Sequence, residues 1–498
     1  MTIPTFIETT PETVPTAAAR VRETFRAHKT RPVEWRIKQL RKLYWAIDKH
    51  EADLRLALER DIGKGQFDAM LGEINWVKND IVYVTTHLKS WMKDEKPTDI
   101  DFANRLVSPR IRKDPYGAVL VIGPFNFPLQ LCLCPCIGAI AGGNTIVLKP
   151  SESTPNCSAM IQLLFTEALD PDAFTVIQGA IPQTQALLAE KWDKIFFTGS
   201  VSTAKIVAKA AAAHLTPTVF ELGGKNPAIV TANINVPNTA RRLLWAKNMN
   251  AGQLCMSPNH VLVERKILPQ LITELKSAYA EFYPSGAKGT EDWCKIVNLK
   301  SFSRLQKLLD ATTGTILLGG ETDAEQLYVA PTVVLVKDMH DALLAEETFG
   351  PFLTLLPAEA DAVLAQTRSG GATINDTLFH AIIPTLDFGG VGDSGMGAYR
   401  GRASFDAFVH RRSIAKTPNW AERIMKMRYP PYAGTSKYKT FDAMQRRNVN
   451  FDREGNDKVA WWVLVLTLGG RKGVLRWIGL VLATVGLKRG GEGGESKV

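Results

Sequence analysis

The segment Lys194–Ala212, KIFFTGSVSTAKIVAKAAA, decides the fold class of this 498-residue chain. It begins with a short apolar run, turns at Gly199 and Ser200, and continues as an alanine-rich stretch typical of a helix. A glycine at such a junction lets a ligand phosphate approach the backbone, and the helix N-terminus favours an anion. The motif is not a full G-x-G-x-x-G, because Ala204 stands where a second glycine would be. The segment predicts a strand–turn–helix unit, and a plain turn remains the alternative to a ligand site.

Runs of the same kind lie on both sides of this segment. Residues 13–94 have the three- and four-residue apolar spacing of helices. The strand-like runs that follow are AVLVIG (118–123), NTIVLKP (144–150), FTVIQG (174–179) and TVFELGG (218–224), with helix-like segments beginning near Pro135, Thr154, Pro182 and Ser200. A second α/β region from about Asn248 to Thr385 has the strand-like runs HVLVE, TVVLV and FLTLL. Short buried strands alternating with helices predict an α/β fold with a parallel sheet covered on both faces, where ligands bind at the carboxyl ends of the strands.

Polar side chains follow several of these runs. Lys149 and Glu152 could bind ribose hydroxyls, and the Glu152 carboxylate would repel a 2′-phosphate; a solvated loop is the alternative. Glu221, at a strand end, could act as a general base or be an exposed acid in a turn. Asn126, between two aromatic residues, could donate to a developing oxyanion or only satisfy the backbone. Each of these residues is ambiguous when taken alone.

Length, cysteine content and charge distribution exclude some classes of function. The length indicates two or more domains, and six cysteines without a framework spacing favour reduced thiols. Residues 410–498 carry 18 Lys and Arg against seven Asp and Glu, so the net charge of +10 belongs to a basic tail on a nearly neutral body. That distribution argues against nucleic acid as a partner. Cys132, Cys134 and Cys136 are better explained by small apolar packing than by a metal site, and no metal is predicted.

The order of these residues along the chain is more specific than any of them alone. Asn126, Lys149, Gly199, Glu221 and Cys255 precede EETFGP (346–351) and FGGVGDSGMG (388–397). This order resembles the aldehyde dehydrogenase superfamily, and AAAHLTPTVFELGGKNP, NAGQLC and MRYPPY resemble its class 3 branch, which includes the fatty aldehyde dehydrogenases. The resemblance covers roughly residues 13–432. It implies an aldehyde-dehydrogenase-like α/β fold, with a Rossmann-type NAD domain, an α/β catalytic domain and a small β oligomerisation arm.

The resemblance also implies a role for each site residue. Cys255 would be the nucleophile that forms a thiohemiacetal and then a thioester, Asn126 would hold the oxyanion, and Glu221 would activate the hydrolytic water. The expected cofactor is NAD, although this branch also accepts NADP in places. The residues expected to bind it are Lys149 and Glu152 at the ribose, Gly199, Ser200 and Thr203 at the pyrophosphate, and Glu347 and Phe349 at the nicotinamide ribose.

The predicted domain boundaries follow the same resemblance. The NAD-binding domain is 1–104 with 127–222, the catalytic domain 223–384, the arm 105–126 with 385–420, and the tail 433–498. Relatives of this branch form dimers, so a homodimer is expected. Near 357–361 the chain is shorter than the family pattern by about one helix and one strand. Either the product is mis-spliced or mis-predicted and folds badly, which is favoured because nothing suggests compensation, or the contraction is natural.

The tail contains two apolar runs, Val459–Leu468 and Val474–Leu487. Each is too short to span a bilayer, which needs about 20 apolar residues. Trp461, Trp462 and Trp477 with neighbouring Lys and Arg resemble interfacial anchors, so a re-entrant hairpin or interfacial helix pair is predicted rather than a buried helical pair.

The sequence therefore predicts an enzyme attached to a membrane and facing the cytosol, at the endoplasmic reticulum by resemblance. It would oxidise medium- and long-chain fatty aldehydes with NAD. The alternatives are a catalytically impaired membrane-bound homologue and a general cytosolic aldehyde dehydrogenase with an incidental tail.

Overall fold

A computed structural model describes residues 3–98, 100, 102–358, 367–431, 435–437 and 439–440. The chain divides into two compact units. The first, Met1–Glu95 with Ile111–Ile414, contains both large sheets. The second combines Lys96–Arg110 with Ala415–Val498.

The N-terminal region of the first unit is helical, as its apolar spacing predicts. Leu40, Leu43 and Ile47 are fully or almost fully buried on one face of a single helix. The helices here are α1 (Val14–Arg26), α2 (Val33–Lys49), α3 (Glu51–Ile62), α4 (Gln66–Ala69) and α5 (Asn75–Trp91). The later helices are α6 (Gln130–Gly142), α7 (Pro155–Ala168), α8 (Ile181–Ala189), α9 (Val201–Ala212), α10 (Val236–Asn248), α11 (Leu268–Phe282), α12 (Leu299–Ala311), α13 (Ala342–Ala345), α14 (Phe379–Ile382), α15 (Arg402–Ala407) and α16 (Glu422–Met425).

The strands form two large sheets and two small ones. They are β1 (Arg110–Pro115), β2 (Ala118–Ile122), β3 (Thr145–Lys149), β4 (Phe174–Val176), β5 (Lys194–Thr198), β6 (Thr218–Glu221), β7 (Pro227–Val230), β8 (His260–Glu264), β9 (Thr315–Leu318), β10 (Thr322–Asp323), β11 (Tyr328–Val329), β12 (Thr332–Leu335), β13 (Phe352–Ala358), β14 (Gly395–Met396) and β15 (Val409–Ile414). Every strand-like run singled out in the sequence overlaps one of these strands.

The first large sheet has the order β14-β6-β5-β2-β3-β4. Four of its strand pairs are parallel, and the fifth, between β14 and β6, is antiparallel. Val119 and Val121 of β2 pack in the same core as α6 and α7, whereas Leu120 and Ile122 pack with α1 and α9 on the other face. The sheet is therefore covered on both faces, as predicted, and its order reverses at β2.

Two details differ from the sequence predictions. Strand β2 fell inside the predicted arm segment 105–126, but it pairs with β3 and β5, because all five of its residues are apolar and buried. The helix expected to begin near Pro135 begins at Gln130 and contains Pro135 in its interior. All residues of α6 are buried. A helix that is apolar all round has no periodicity to mark its start, so the proline was taken for a first-turn residue.

The second large sheet has the order β7-β8-β13-β12-β9, with β9 antiparallel to β12 and the other pairs parallel. Helices α10 and α11 cover one face, and α12 and α13 lie against the other. Strand β7 lies at the edge, with β8 as its only strand partner among the described residues.

The chain beside this edge is irregular. Residues 367–377 form no helix or strand, and the side chain of Ile374 is 72% exposed. Most of the shortened stretch near 357–361 falls outside the described residues. The structure therefore does not test the predicted loss of a helix and a strand, although β7 occupies the kind of open edge that such a loss would leave.

A small two-stranded sheet pairs β1 with β15. Glu95 ion-pairs with Lys113 of β1 at 2.8 Å and with Arg411 of β15 at 2.6 Å, so one carboxylate ties both strands to the end of the helical region. These strands lie within the predicted arm, and its role in a dimer stays a prediction.

None of the helices in the described part of the chain is long and apolar enough to cross a membrane. The two apolar runs at 459–468 and 474–487 lie outside that part, so the predicted tail is untested.

Candidate active site

The carboxyl ends of β6, β5, β2 and β3 are neighbours in the first large sheet. Glu221 ends β6, Gly199 follows β5, and Lys149 ends β3. Asn126 follows β2 after three residues and is 3% exposed. The structure thus places these four predicted site residues along one edge of the sheet, at the point where the strand order reverses, which is where such sheets bind ligands.

Cys255 follows a strained loop. Asn250, Ala251 and Gly252 have φ values of +53°, +50° and +71°, so three successive residues adopt the left-handed conformation. A Cβ on Gly252 would lie 2.1 Å from the carbonyl oxygen of Gly350. Such backbone strain persists only when surrounding contacts hold it, and here the loop presses against the segment that carries Glu347 and Phe349.

Amide side chains hold this loop in place. The Asn126 side chain donates from Nδ2 to the Gln253 carbonyl oxygen at 3.1 Å. Asn250 Nδ2 donates to the same oxygen at 3.0 Å and to the Asn126 carbonyl oxygen at 2.9 Å. Gln253 Oε1 accepts from the backbone of Val297 at 3.0 Å. The Asn126 turn and the cysteine loop are therefore bonded directly to each other.

The side chain of Asn226 holds the backbone of Cys255. Asn226 Nδ2 donates to the Cys255 carbonyl oxygen at 2.6 Å and to the Ser257 carbonyl oxygen at 3.3 Å. The other five cysteines are buried, and Cys255 is the one that is partly exposed. Exposure therefore distinguishes Cys255 from the other five cysteines, and its role as the nucleophile stays a prediction.

Cys255 and Glu221 line one cavity of about 1270 Å³. Its walls include the edge strand β7 and the irregular segment 367–377. Apolar side chains line much of it: Leu222, Ile229, Leu243, Met256, Leu378 and Phe388. The cavity is large enough for a long apolar substrate, and polar side chains such as Arg242, Asp376 and His380 also line it.

The electrostatics of the site favour the protonated thiol. Burial and, after it, the nearby carboxylates Glu347 and Glu221 raise the pKa of Cys255 to about 12, while the N–H groups of Cys255 and Met256 act in the opposite direction. These backbone donors favour the thiolate, but burial and the two carboxylates outweigh them.

Glu221 is fixed through its backbone on both sides. Its carbonyl oxygen accepts from Gly199 N at 3.1 Å, and it pairs with Gly395 across to β14. The side chain is 6% exposed, and Oε1 has no hydrogen-bond partner within the described structure. Burial raises the pKa of Glu221 well above its usual value. A desolvated carboxyl group with a free oxygen beside a thiol is suited to taking a proton from water.

The candidate ribose and phosphate contacts lie further along the same edge. Lys149 is 4% exposed and donates to Glu152 Oε2 at 2.7 Å. Ser200 caps α9, with Oγ accepting from Thr203 N at 3.3 Å. Ala204, which replaces a second glycine, is buried against the sheet. Gly199 therefore leads into a capped helix N-terminus, the arrangement that suits a pyrophosphate.

Glu347 and Phe349 belong to the segment EETFGP, which contacts the cysteine loop at Gly252. The Gly224 N–H donates to Glu347, and burial raises the pKa of Glu347 to about 7. Oε1 of Glu347 is buried without a partner within the described structure. The Phe349 ring meets Phe125 edge-on, with centroids 5.9 Å apart. An unpartnered buried acceptor fits a ribose hydroxyl, so these residues fit the predicted dinucleotide.

Several structural residues of the site were not predicted from the sequence. They are the loop amides Asn226, Asn250 and Gln253, and the buried pair Lys64 and Glu73, which contacts the Asn126 turn. The high proportion of amide residues in NMNAGQ (248–253) could have indicated the roles of Asn250 and Gln253. Lys64 and Glu73 lie in a helical region, where charges usually face solvent.

Comparison with known proteins agrees with this geometry. The family model described as the aldehyde dehydrogenase family matches residues 1–362. The chain is similar to beta-apo-4'-carotenal oxygenase of Neurospora crassa, with 43% identity over 509 aligned positions that cover 95% of each chain. Because 509 exceeds the 498 residues present, that relative has residues that this chain lacks.

Two further comparisons identify the branch of the family and the fold. Aldehyde dehydrogenase family 3 member H1 of Arabidopsis thaliana is 39% identical, over 83% of this chain and 91% of its own. The substrate-bound Staphylococcus aureus AldH structure has a TM-score of 0.83 and 36% identity, covering 87% of this chain and 99% of its own. The chain therefore belongs to the aldehyde dehydrogenase family, in its class 3 branch, and is an oxidoreductase of aldehydes that uses NAD or NADP.

Proposed function

We propose that this enzyme oxidises long-chain apolar aldehydes, fatty aldehydes first among them, to carboxylic acids with NAD. The observation that carries the proposal is the cavity of about 1270 Å³, which joins Cys255 and Glu221 to apolar walls. A long apolar chain gains free energy by burial there, roughly 0.8 kcal/mol for each CH₂ group removed from water.

Cys255, as the thiolate, attacks the aldehyde carbon and forms a C–S bond. The Asn126 side chain and the Cys255 N–H stabilise the oxyanion of the resulting thiohemiacetal. A nicotinamide held by Glu347 and Phe349 would supply the acceptor for the hydride of this carbon, and a thioester would then remain on Cys255. Glu221 takes a proton from water, the hydroxide attacks the thioester, and cleavage of the C–S bond releases the acid and restores the sulfur.

The direct test is NAD reduction with hexadecanal, compared with propanal. We expect kcat/KM for hexadecanal to exceed that for propanal by about 100-fold or more, because the apolar walls contact only the longer chain. Equal values for the two aldehydes would contradict a long-chain preference.

The relative from Neurospora crassa supports a second substrate class. Its name indicates a long conjugated apolar aldehyde, beta-apo-4'-carotenal, and it matches nearly the whole of this chain. The same assay with beta-apo-4'-carotenal discriminates between fatty aldehydes and apocarotenals as the substrate class, since the preferred class should have the higher kcat/KM.

The open edge at β7 supports the alternative of an impaired enzyme. In that case calorimetry would show NAD binding, while neither aldehyde would be turned over. Absence of NAD binding would indicate instead that the shortened chain folds badly.

For the cofactor, NAD is favoured because the Glu152 carboxylate would repel a 2′-phosphate at the predicted ribose site. Glu152→Gln should raise kcat/KM for NADP about tenfold and change that for NAD little, since it removes a repulsion of roughly 1.4 kcal/mol. Glu190→Gln is a matched control, because Glu190 is also paired with a cation, Arg22, at 2.7 Å. An unchanged NADP/NAD ratio in Glu152→Gln would show that other groups set the preference.

Attachment to a membrane through residues 433–498, facing the cytosol and at the endoplasmic reticulum, also remains a proposal, as does the homodimer. Membrane attachment is supported by the apolar runs and their flanking Trp, Lys and Arg residues. Fractionation of cells that express the full chain tests it, and recovery only in the soluble fraction would contradict it.

A further inference from the structure

A buried ion pair lies next to the turn that carries Asn126. Lys64 Nζ and Glu73 Oε1 are 2.7 Å apart, and both side chains are 0% exposed. Lys64 follows α3 in the sequence IGKGQF, and Glu73 lies just before α5. A fully buried pair of this kind is costly unless further hydrogen bonds satisfy both ions.

Those further contacts all go to one short segment, Asn126–Gln130. Lys64 Nζ donates to the Asn126 carbonyl oxygen at 3.3 Å and lies 3.8 Å from the centroid of the Phe127 ring. Glu73 Oε2 accepts from the backbone N–H groups of Leu129 at 3.1 Å and Gln130 at 2.9 Å. The two ions therefore hold the beginning and the end of the segment NFPLQ.

This segment joins β2 to α6 and presents the Asn126 amide to the cysteine loop. Its own regular hydrogen bonds begin only with α6, so the backbone position of Asn126 depends on side chains that contact it. Asn250 holds the Asn126 carbonyl from the side of the cysteine loop, and Lys64 holds it from the side of the helices. Two donors from different parts of the chain thus converge on one carbonyl oxygen.

We propose that Lys64, paired with Glu73, is a positioning residue that sets the Asn126 amide as an oxyanion donor. The proposal rests on the proposed function, because it assumes that Asn126 holds the oxyanion. Within the described structure, no hydrogen bond or ion pair joins Lys64 to Cys255 or to a residue predicted to bind the cofactor, and the path from Lys64 to the oxyanion site is its bond to the Asn126 carbonyl oxygen. Since an oxyanion donor must lie within a few tenths of an ångström of its place, small shifts of this turn reduce the rate of the chemical step.

The test is a double-mutant cycle on the full chain. Lys64→Met keeps most of the side-chain volume and removes the cation. We expect kcat with hexadecanal to fall about 10- to 100-fold, part of the 10²- to 10³-fold cost of deleting a donor outright. KM for hexadecanal and Kd for NAD should change less than about threefold. In an Asn126→Ala background, Lys64→Met should cost less than about threefold in kcat.

Lys113→Met is the matched control. Lys113 is also a buried lysine, paired with Glu95 at 2.8 Å and bonded to the Trp91 carbonyl oxygen at 2.7 Å, but it does not contact the Asn126 turn. Its substitution should leave kcat within about threefold of the wild type. The proposal is overturned if Lys64→Met leaves kcat unchanged, or if it lowers kcat by the same factor with and without Asn126.

Lys64→Met leaves the Glu73 carboxylate buried without its cation and so risks poor folding. The variant Lys64→Met/Glu73→Gln removes both charges and keeps an acceptor near Leu129, and it enters the same cycle with the same expected outcome. Amide hydrogen exchange supplies a readout that needs no turnover. Exchange in the peptide that spans 126–130 should become faster in either Lys64 variant and not in Lys113→Met. Unchanged exchange would overturn the proposal even if the wild type oxidised no aldehyde, whereas an inactive wild type contradicts only the proposed function.

Discussion

Cys255→Ser should abolish NAD-dependent oxidation of hexadecanal, lowering kcat by about 10⁴-fold or more. Serine is nearly isosteric with cysteine, so the cavity and the loop hydrogen bonds remain. The hydroxyl of serine ionises far less readily than a thiol and is a poorer nucleophile without a dedicated base. The wild type and the variant are compared by NADH formation at saturating NAD and aldehyde.

A buried cysteine provides the control. Cys136→Ala removes a buried thiol of α6 that does not line the cavity, and should lower stability slightly without changing kcat. Alkylation by iodoacetamide should modify one thiol per wild-type chain and none in Cys255→Ser, because the other five cysteines are buried. Equal rates of hexadecanal oxidation in the wild type and Cys255→Ser would remove Cys255 from the mechanism.

Glu221→Gln should stop turnover after the first catalytic cycle. The acyl group is then transferred to Cys255 and NADH forms in an amount equal to the enzyme, but hydrolysis lacks its base. Loss of a general base typically slows such a step by 10²- to 10⁴-fold. Rapid-mixing absorbance at saturating NAD and hexadecanal separates the burst from the slow steady state.

The pH dependence of the slow phase gives a second check of the same residue. Burial raises the pKa of Glu221 above its usual value, so below that pKa the carboxyl group is protonated and cannot accept a proton from water. The wild-type rate of thioester hydrolysis should therefore increase as pH rises through the raised pKa, and Glu221→Gln should lose this dependence. Hydroxylamine, which attacks a thioester without a base, should restore turnover in the variant. A variant with no burst, or with the wild-type steady state, would assign the base to another residue.

The pattern of strands was predictable from sequence because both large sheets are built from short runs that are apolar on both faces. Runs such as 118–123 and 194–199 have this composition since helices cover both sides of the strand. The placement of Lys149, Gly199 and Glu221 on one edge followed from the same fact, because parallel strands carry their carboxyl ends to one edge.

What the sequence could not show is how the site is held. The left-handed conformation of Asn250 and Ala251 depends on contacts with Asn126 and Gln253, which are distant in sequence or available only once the loop is closed. Lys64 and Glu73 look like surface charges until the chain is folded around them. The apparent start of α6 at Pro135 was wrong because a helix buried on every side has no polar face to reveal where it begins.

The open edge of β7 has a consequence for how the enzyme would lose activity. Asn226, immediately before β7, is the residue whose amide bonds to the Cys255 carbonyl oxygen. Edge strands open locally at a lower free energy than strands paired on both sides. Local unfolding that begins at this edge removes the hydrogen bond from Asn226 to the Cys255 carbonyl oxygen, while the core of the first sheet stays folded. On heating, the enzyme would then lose activity at a lower temperature than the one at which the whole chain unfolds.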